Sequence, residues 1–511
     1  MEQDLMQDSS QELEQNSSQE LEQNGSQELE QNGSLDMEME GLEAQLEANR
    51  SEREQQAVTY VIDRILGDIR TKESDISTLM NATKGRCQKE VMQIVVKEFL
   101  SAADDLLWSP DYSLRRDSEQ VIYCYTGTHW KLVNASQWKN FVRQVAQRCG
   151  VPESLCMDTS FMKKLFDAMA YSVFDYRQPV ERKDEVWLNL LNSTLELKAD
   201  GTVVVRGHRK EDLFFYCLPY AYDPQAQCPR WQGFLNRVLP ETNARTQLGE
   251  FMGYTLMSRH HLEKMLWMFG GGQNGKSTVL NVFEAMLGKE NVCSFSLDQL
   301  TNDPIVRWSF EHKLANMSRE TGDRVNTSVM KRICSGEPIT VEQKYVNPHE
   351  TTAYGKVIMA TNEFPRPENT AAFFRRILIL PFTACITDEE KDVDLTPKLL
   401  TELPGILNWV LQLMPPLMRR GAFTPSESGR KALDNYMLES DNVRLFLSEM
   451  LEASEMPTHG QVIFDAYVEY CKNLHSHNLG RTKFYRHLDE LTSAGVKRQN
   501  YQYFNLKLAK S

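Results

Sequence analysis

Glycines, a lysine and a hydroxyl fall together in one short run of this chain. Gly270, Gly271, Gly272, Gln273, Asn274, Gly275, Lys276, Ser277 and Thr278 are consecutive, and Gly270, Gly275, Lys276 and Ser277 fit the spacing G-x-x-x-x-G-K-[ST]. Glycines let a backbone curl so that successive N–H groups face a phosphate. A lysine at this spacing reaches the β- and γ-phosphates, and the adjoining hydroxyl ligates magnesium. The run therefore predicts a nucleoside triphosphate site served by ATP and Mg2+. Groups that hydrolysis needs stand further along. Glu320 is the candidate acid, polarising water and holding the metal together with Ser277. Asn362 is the candidate sensor, orienting water beside the γ-phosphate. Arg375 and Arg376 are adjacent cations, one of which would enter a neighbouring copy's site and stabilise transition-state charge. Two alternatives stand beside these roles: Glu320 in a surface ion pair with Arg319 or Arg324, and the arginines in a salt bridge within their own domain.

The flanking elements must position these groups. Leu266–Phe269 is a short apolar run of strand type, while Val279, Leu280, Val282, Phe283, Met286 and Leu287 recur at helical spacing. The order is strand, glycine loop, helix, so a helix dipole points its positive end at the loop. Residues 313–318 (KLANMS) predict a strand that delivers Glu320, and 356–360 (KVIMA) a buried strand that ends in Thr361, Asn362 and Glu363. In AAFFRRILILPF the two arginines immediately precede another apolar strand. Val329–Cys334 predicts a helix stopped by Gly336 and Pro338, followed by a hairpin over Ile339–Val346 that carries Lys344 and Tyr345. The core is therefore expected to be α/β.

Charge divides the chain. The net charge is −14, but residues 1–56 hold 16 acidic and two basic residues, leaving 55 of each in the remainder. The globular part is neutral overall and can bind nucleic acid through local patches. The acidic segment repeats SSQELEQN from Ser9 and Ser17 and GSQELEQN from Gly25. A period of eight with one leucine per repeat builds no coiled-coil seam. Residues 1–56 are expected to be a disordered tail, either a solvated spacer or an acidic docking segment. The ten cysteines contain no C-x-x-C pair, so neither a zinc site nor a disulfide framework is indicated. No signal peptide or long apolar span is present, so a membrane role is not expected and cytoplasm is the default location.

Residues 57–210 predict a mixed α+β region, with helices over 57–111, two strands about a Thr-Gly turn within 121–133, and a hairpin turning at Asp200-Gly201. Residues 425–440 predict a polar helix and linker. A separate small domain follows at 441–511: three helices and a terminal hairpin, the pattern of a winged helix. Residues 472–511 carry eight basic residues against Asp489 and Glu490. Arg481, Lys483, Arg486, Lys497 and Arg498, interleaved with tyrosines, are the candidate DNA contacts. The alternative is a small docking domain with a solvated basic face.

Two larger patterns carry a resemblance. Residues 192–197 (NSTLEL) and 217–240 (CLPYAYDPQAQCPRWQGFLNRVLP), continuing through Leu248, Gly253, Tyr254 and Leu256, resemble the segment before the motor in phage and plasmid primase-helicases of the poxvirus-primase-like group. The ordered series GGGQNGKST, KLANMSRE, KVIMATNEFP and FFRRILILPF resembles a superfamily III helicase motor over roughly 210–415, ending in LPGILNWVLQ. The resemblance implies a helical collar at 211–255 and an AAA+-type P-loop ATPase core at 256–424. It also implies homo-hexameric rings that move 3′-to-5′ on single-stranded or forked DNA, with Lys344 and Tyr345 at a hairpin tip gripping the strand. The family's two-acid ending is absent here, because Ser318 and Arg319 precede the single Glu320. No primase domain is recognisable, so a separate primase or host replication proteins would be partners. The competing expectation is a nucleotide-switched assembly or regulatory protein that does not unwind.

Overall fold

The computed structural model describes residues 58–107, 113–116, 121–173, 185–320, 325–342, 348–364, 371–392, 394–473, 478–493, 495–498 and 501–509. The acidic segment 1–56 and the candidate strand-gripping residues Lys344 and Tyr345 lie outside these. The described chain forms two compact units. One runs to Val173 without 128–130; the other holds 128–130 and everything from Glu185 onward.

The first unit is helical with a small sheet. Its elements are α1 (58–68), α2 (Glu73–Thr83), α3 (Gln88–Leu107), β1 (Ser113–Arg116), β2 (Ile122–Tyr125), β3 (Trp130–Leu132), α4 (Ala135–Arg148), α5 (Glu153–Cys156) and α6 (Thr159–Ser172). α4 begins on a reciprocal cap, in which Asn134 accepts from the Gln137 amide and the Gln137 side chain accepts from Asn134. Its buried Trp138, Phe141, Val142 and Val145 fall on one helical stripe. β1 and β2 pair antiparallel.

The second unit opens with an antiparallel meander, β4 (Glu185–Asn189), β5 (Thr194–Lys198) and β6 (Val203–Arg206). Gly201, at φ +96°, makes the expected turn. Two helices follow, α7 (Pro229–Val238) and α8 (Thr242–Thr255). α8 is buried along most of its length and packs on the later helix over Leu403–Arg420 through Gly249 and Gly253. A Cβ on either glycine would meet side chains of that helix at 2.4–2.6 Å, so close approach of the two backbones requires both.

The central layer is built next: β7 (Met265–Phe269), α9 (Lys276–Leu287), β8 (Val292–Cys293), α10 (Leu297–Asn302), α11 (Pro304–Phe310), β9 (Ala315–Ser318), α12 (Thr327–Ser335), β10 (Ile339–Val341), β11 (His349–Thr351), β12 (Lys356–Thr361), α13 (Ala371–Phe374) and β13 (Ile377–Pro381). Five strands form one sheet in the order β13-β7-β12-β9-β8, and every pairing is parallel. β9 and β12 are buried at each position, as strands covered on both faces must be. β10 and β11 form the expected hairpin, with its second arm at 349–351.

Three helices close the layer: α14 (Leu395–Leu400), α15 (Leu403–Arg420) and α16 (Glu427–Glu439). The polar helix expected at 425–440 is α16, and it packs against β13 with Tyr436 buried instead of serving as a linker. Glu241 anchors its start, accepting from the Glu427 and Ser428 amides. The C-terminal segment runs α17 (Asn442–Met450), β14 (Leu451–His459), α18 (Gly460–Asn473), α19 (Arg481–Thr492), β15 (Gly495–Arg498) and β16 (Tyr501–Leu508). Its antiparallel sheet has the order β14-β16-β15, so the terminal hairpin gains a third strand.

Candidate functional site

The glycine run joins the carboxyl end of β7, a central strand, to the start of α9. In an open parallel sheet, ligands bind at this end of the strands. Two glycines are required by geometry. Gly270 sits at φ +155°, where a Cβ would lie 2.3 Å from the Phe382 carbonyl oxygen. Gly275 sits at φ +84°, where a Cβ would lie 2.8 Å from Val238 of α7. Asn274 locks the turn from inside, its Nδ2 donating to the carbonyls of Gly271 (2.6 Å) and Phe382 (3.2 Å). The Ile386 amide donates to the Gln273 carbonyl, so the segment after β13 straps the loop. No side chain caps the start of α9, which leaves its dipole directed at the loop. Lys276 is buried, with Nζ 2.6 and 2.7 Å from the Gly270 and Gly271 carbonyls, and burial lowers its pKa. Gly271, Gly272, Gln273 and Ser277 are exposed, and Thr278 is half-buried on the first turn of α9.

Neighbouring strands end at the same level. β12 pairs Thr361 with Phe269, and the Gly270 amide donates to the Thr361 carbonyl at 3.3 Å. Asn362 is the next residue and is exposed. β9 pairs Ser318 with Met359, which sets Glu320 two residues beyond the last pair, level with Thr361. Both strand ends use one device: the Ser318 hydroxyl accepts from the Glu320 amide, and the Thr361 hydroxyl accepts from the Glu363 amide, each at 3.1 Å. These hydroxyl turns fix the chain just past the sheet, where Glu320 and Glu363 are exposed. Arg319 turns back to α9, donating to Asn281 at 2.6 Å.

Arg375 and Arg376 occupy the other end. β13 pairs Ile377 with Met265, so both arginines precede the sheet, about 16 Å of strand away from the glycine loop. The two side chains have different surroundings. Arg376 is buried, bonded to Ser335 Oγ (2.8 Å) and the Ala372 carbonyl (2.7 Å) and paired with Glu263 at 3.1 Å. Arg375 is 64% exposed and approaches Glu263 only at 3.7 Å. In the C-terminal segment Arg481, Lys483 and Arg486 are exposed on α19, above a buried stripe of Phe484 and Leu488. Lys497 and Arg498 lie on the backbone of β15, but their side chains are outside the described residues.

A cavity of about 480 Å³ adjoins the glycine loop on the β13 side. Its wall is a file of rings: Phe269 on Phe364 at 4.1 Å, then Phe364 on Tyr436 at 4.3 Å. Asn435 and Glu439 of α16 complete the rim. A polar helix and linker, as the sequence predicts for 425–440, would contribute no such wall. The helical spacing of Leu433, Tyr436 and Met437 was the available signal.

Comparison with known proteins adds the following. Residues 106–240 match the family described as "D5 N terminal like". Residues 268–376, from β7 through both arginines, match a family of unknown function, DUF5906. A protein of Acanthamoeba polyphaga mimivirus named "Putative helicase L207/L206" is 22% identical over 210 residues, 37% of this chain and 21% of that protein. The chain thus spans about a fifth of that relative's length. Two apo structures of the NrS-1 C-terminal region align over 81% of this chain and 99% of theirs, at 11–12% identity and TM-scores of 0.45 and 0.46. Among the described residues, no helix is long and apolar enough to cross a membrane.

Proposed function

We propose that this chain is the ATP-driven motor of a DNA-replication helicase, with Gly270–Thr278 acting as a P-loop. The observation that carries the reading is the convergence at one end of a parallel sheet: the glycine loop after β7, Asn362 after β12 and Glu320 after β9. The "D5 N terminal like" match ahead of the loop and the likeness to a protein named as a helicase support a replication role. Backbone amides of the loop and the start of α9 would receive the phosphates, and Lys276 would exchange its loop carbonyls for phosphate oxygens. Ser277 and Glu320 are exposed oxygen donors at that end, which suits magnesium sharing its shell with water and phosphate. An ion held there would supply neutralisation of developing phosphate charge. Glu320 orients the attacking water, and Asn362 holds it from the adjacent strand. The ring-walled cavity has a size and lining suited to a nucleobase.

The arginines argue for more than one copy. Neither reaches its own loop along the length of the sheet, and Arg376 is engaged inside its own chain. Arg375 is therefore assigned the role in the neighbour's site, within a ring, usually a hexamer in motors of this type. Strand contact falls to the β10–β11 hairpin with Lys344 and Tyr345, and to a winged helix over 441–511 with Arg481, Lys483 and Arg486 facing solvent. Movement is assigned as 3′-to-5′ along single-stranded DNA, with priming left to a separate partner. The test is ATP hydrolysis with and without single-stranded DNA, and opening of a forked duplex. The reading expects stimulation by DNA, fork opening, and loss of both with Lys276→Ala. Hydrolysis indifferent to DNA with no opening would leave a nucleotide-switched assembly protein instead.

A further inference from the structure

A second and larger cavity, about 700 Å³, lies in the second unit at the amino-terminal end of the sheet. Leu314 and Lys356, at the starts of β9 and β12, form part of its floor. The phosphate-site residues Glu320 and Asn362 sit at the far ends of these two strands, so the cavity is separate from the glycine loop.

The lining combines flat rings with positive charge. Phe215 and His312 stack face to face, with centroids 4.0 Å apart and planes 14° from parallel. Both are half-buried and line the cavity. Arg259, Lys313 and Lys356 are the basic residues of the lining, against Glu185 and Asp212 as acids; the Lys313 ammonium donates to the Glu290 carbonyl and the Lys356 ammonium to the Met257 carbonyl. Asp212 is already paired with Arg206 at 2.7 Å. His260 is buried, its Nε2 3.0 Å from the Gly355 carbonyl, and therefore presents Nδ1 as an acceptor when neutral. Burial first and Lys356 second hold His260 down to about 3, and burial, then Arg259 and Lys356, lower His261. Burial pushes Lys356 itself down to about 7.

Backbone strain gathers here as well. Leu213 (φ +55°) and His312 (φ +59°) both line the cavity. A bulky non-glycine residue in the left-handed region costs energy, and such residues cluster at binding sites. The His312 amide donates to the Ala353 carbonyl at 2.6 Å, which holds the backbone of the residue whose ring meets Phe215.

We propose that this cavity binds one nucleotide unit, its base stacked on the Phe215–His312 pair and its phosphate held by Arg259. The unit comes from a single strand or from a free nucleotide, since both carry the same ring and phosphate. The assignment does not depend on hydrolysis at the glycine loop, so the failure of either reading leaves the other standing.

The test uses the full chain carrying Lys276→Ala, which removes the glycine loop's contribution to binding. Two probes are titrated: fluorescein-labelled oligo(dT) by anisotropy and thymidine monophosphate by calorimetry. Phe215→Leu keeps an apolar side chain without the ring, and His312→Asn keeps a residue that tolerates the left-handed region. Loss of a base–aromatic stack weakens binding by roughly five- to a hundredfold, and the double variant is expected to show that loss with an unchanged melting temperature. Loss with oligo(dT) alone identifies the strand as the source, and loss with the mononucleotide alone identifies a free nucleotide. Photo-crosslinking of the parent chain to 4-thiothymidine-containing oligo(dT) and to 4-thiothymidine monophosphate provides a readout that needs no cavity variant, with adducts from at least one probe expected within 212–216 or at 312–313. If both affinities are unchanged in a folded double variant, the proposal is overturned. If that variant does not fold, adducts confined to other segments overturn it.

Discussion

Replacing Arg375 and Arg376 separately should give opposite results, although the two are adjacent and chemically identical. Arg376→Ala removes bonds to Ser335 and to the Ala372 carbonyl and leaves Glu263 without its nearer partner. Breaking a buried ion pair costs about 3–5 kcal/mol. Glu263 is 43% exposed and stays hydrated after the loss, which reduces the expected cost to about 2 kcal/mol. For a unit of this size that is on the order of 5 °C in melting temperature. Arg375→Ala removes an exposed pair at 3.7 Å, which contributes little to stability. Its effect should fall on turnover, since an arginine finger supplies about a thousandfold or more in rate. The assay is differential scanning fluorimetry beside steady-state ATP hydrolysis, with ATP binding followed separately. The expected result is Arg376→Ala less stable, and Arg375→Ala as stable as the parent, able to bind ATP but slow to hydrolyse it. If Arg375→Ala hydrolyses ATP at the parent rate while Arg376→Ala folds normally and does not, the assignment between the two is wrong.

Other expectations follow from the same geometry. Gly275→Ala places a methyl against Val238 and Phe234 in a left-handed residue, so ATP affinity should fall about tenfold, measured by titration with a fluorescent ATP analogue. Gly253→Leu drives a side chain into Met414 and Val410 across the α8–α15 contact and should lower the melting temperature by several degrees, on the order of 2 kcal/mol of overpacking. In the C-terminal segment, Asp441 accepts from His487 at 2.7 Å and raises its pKa above the ordinary imidazole value. A raised folded pKa stabilises fully below the unfolded value of about 6.5 and is lost as pH rises through the folded pKa. The melting temperature should therefore decline over that window, and His487→Gln should flatten the decline.

The glycine loop was legible because its chemistry is local: residue spacing, an apolar run before it and helical periodicity after it all agree. The strand before Asn362 is legible for the same reason, as the apolar run Val357–Ala360, whereas the strand before Glu320 buries the polar Asn316 and Ser318 among Leu314, Ala315 and Met317. β14 was not legible. Leu451–His459 is polar, contains Pro457, and leaves Met456 exposed, while its pairing with β16 shifts register between Ala453 and Thr458. No period-2 pattern announces such a strand, and only pairing with β16 makes it one. α16 is legible as a polar helix but not as a packed one, because its exposed face dominates the composition, whereas Tyr436 is buried by contacts with rings from three other segments. The second cavity left no local trace. Its walls come from around residues 186, 214, 259, 312 and 355, which only the fold brings together.

The claim that an ATP site is completed by a neighbouring copy is tested most directly by mixing two inactive variants. Lys276→Ala keeps Arg375 but has no working loop, and Arg375→Ala keeps the loop but has no arginine to lend. In a random equal mixture, about a quarter of the interfaces would join an intact loop to an intact Arg375. The account predicts that each variant alone hydrolyses ATP negligibly and that the mixture recovers a clear fraction of parent activity. No recovery in mixtures shown to co-assemble, or full activity of Arg375→Ala by itself, would contradict it.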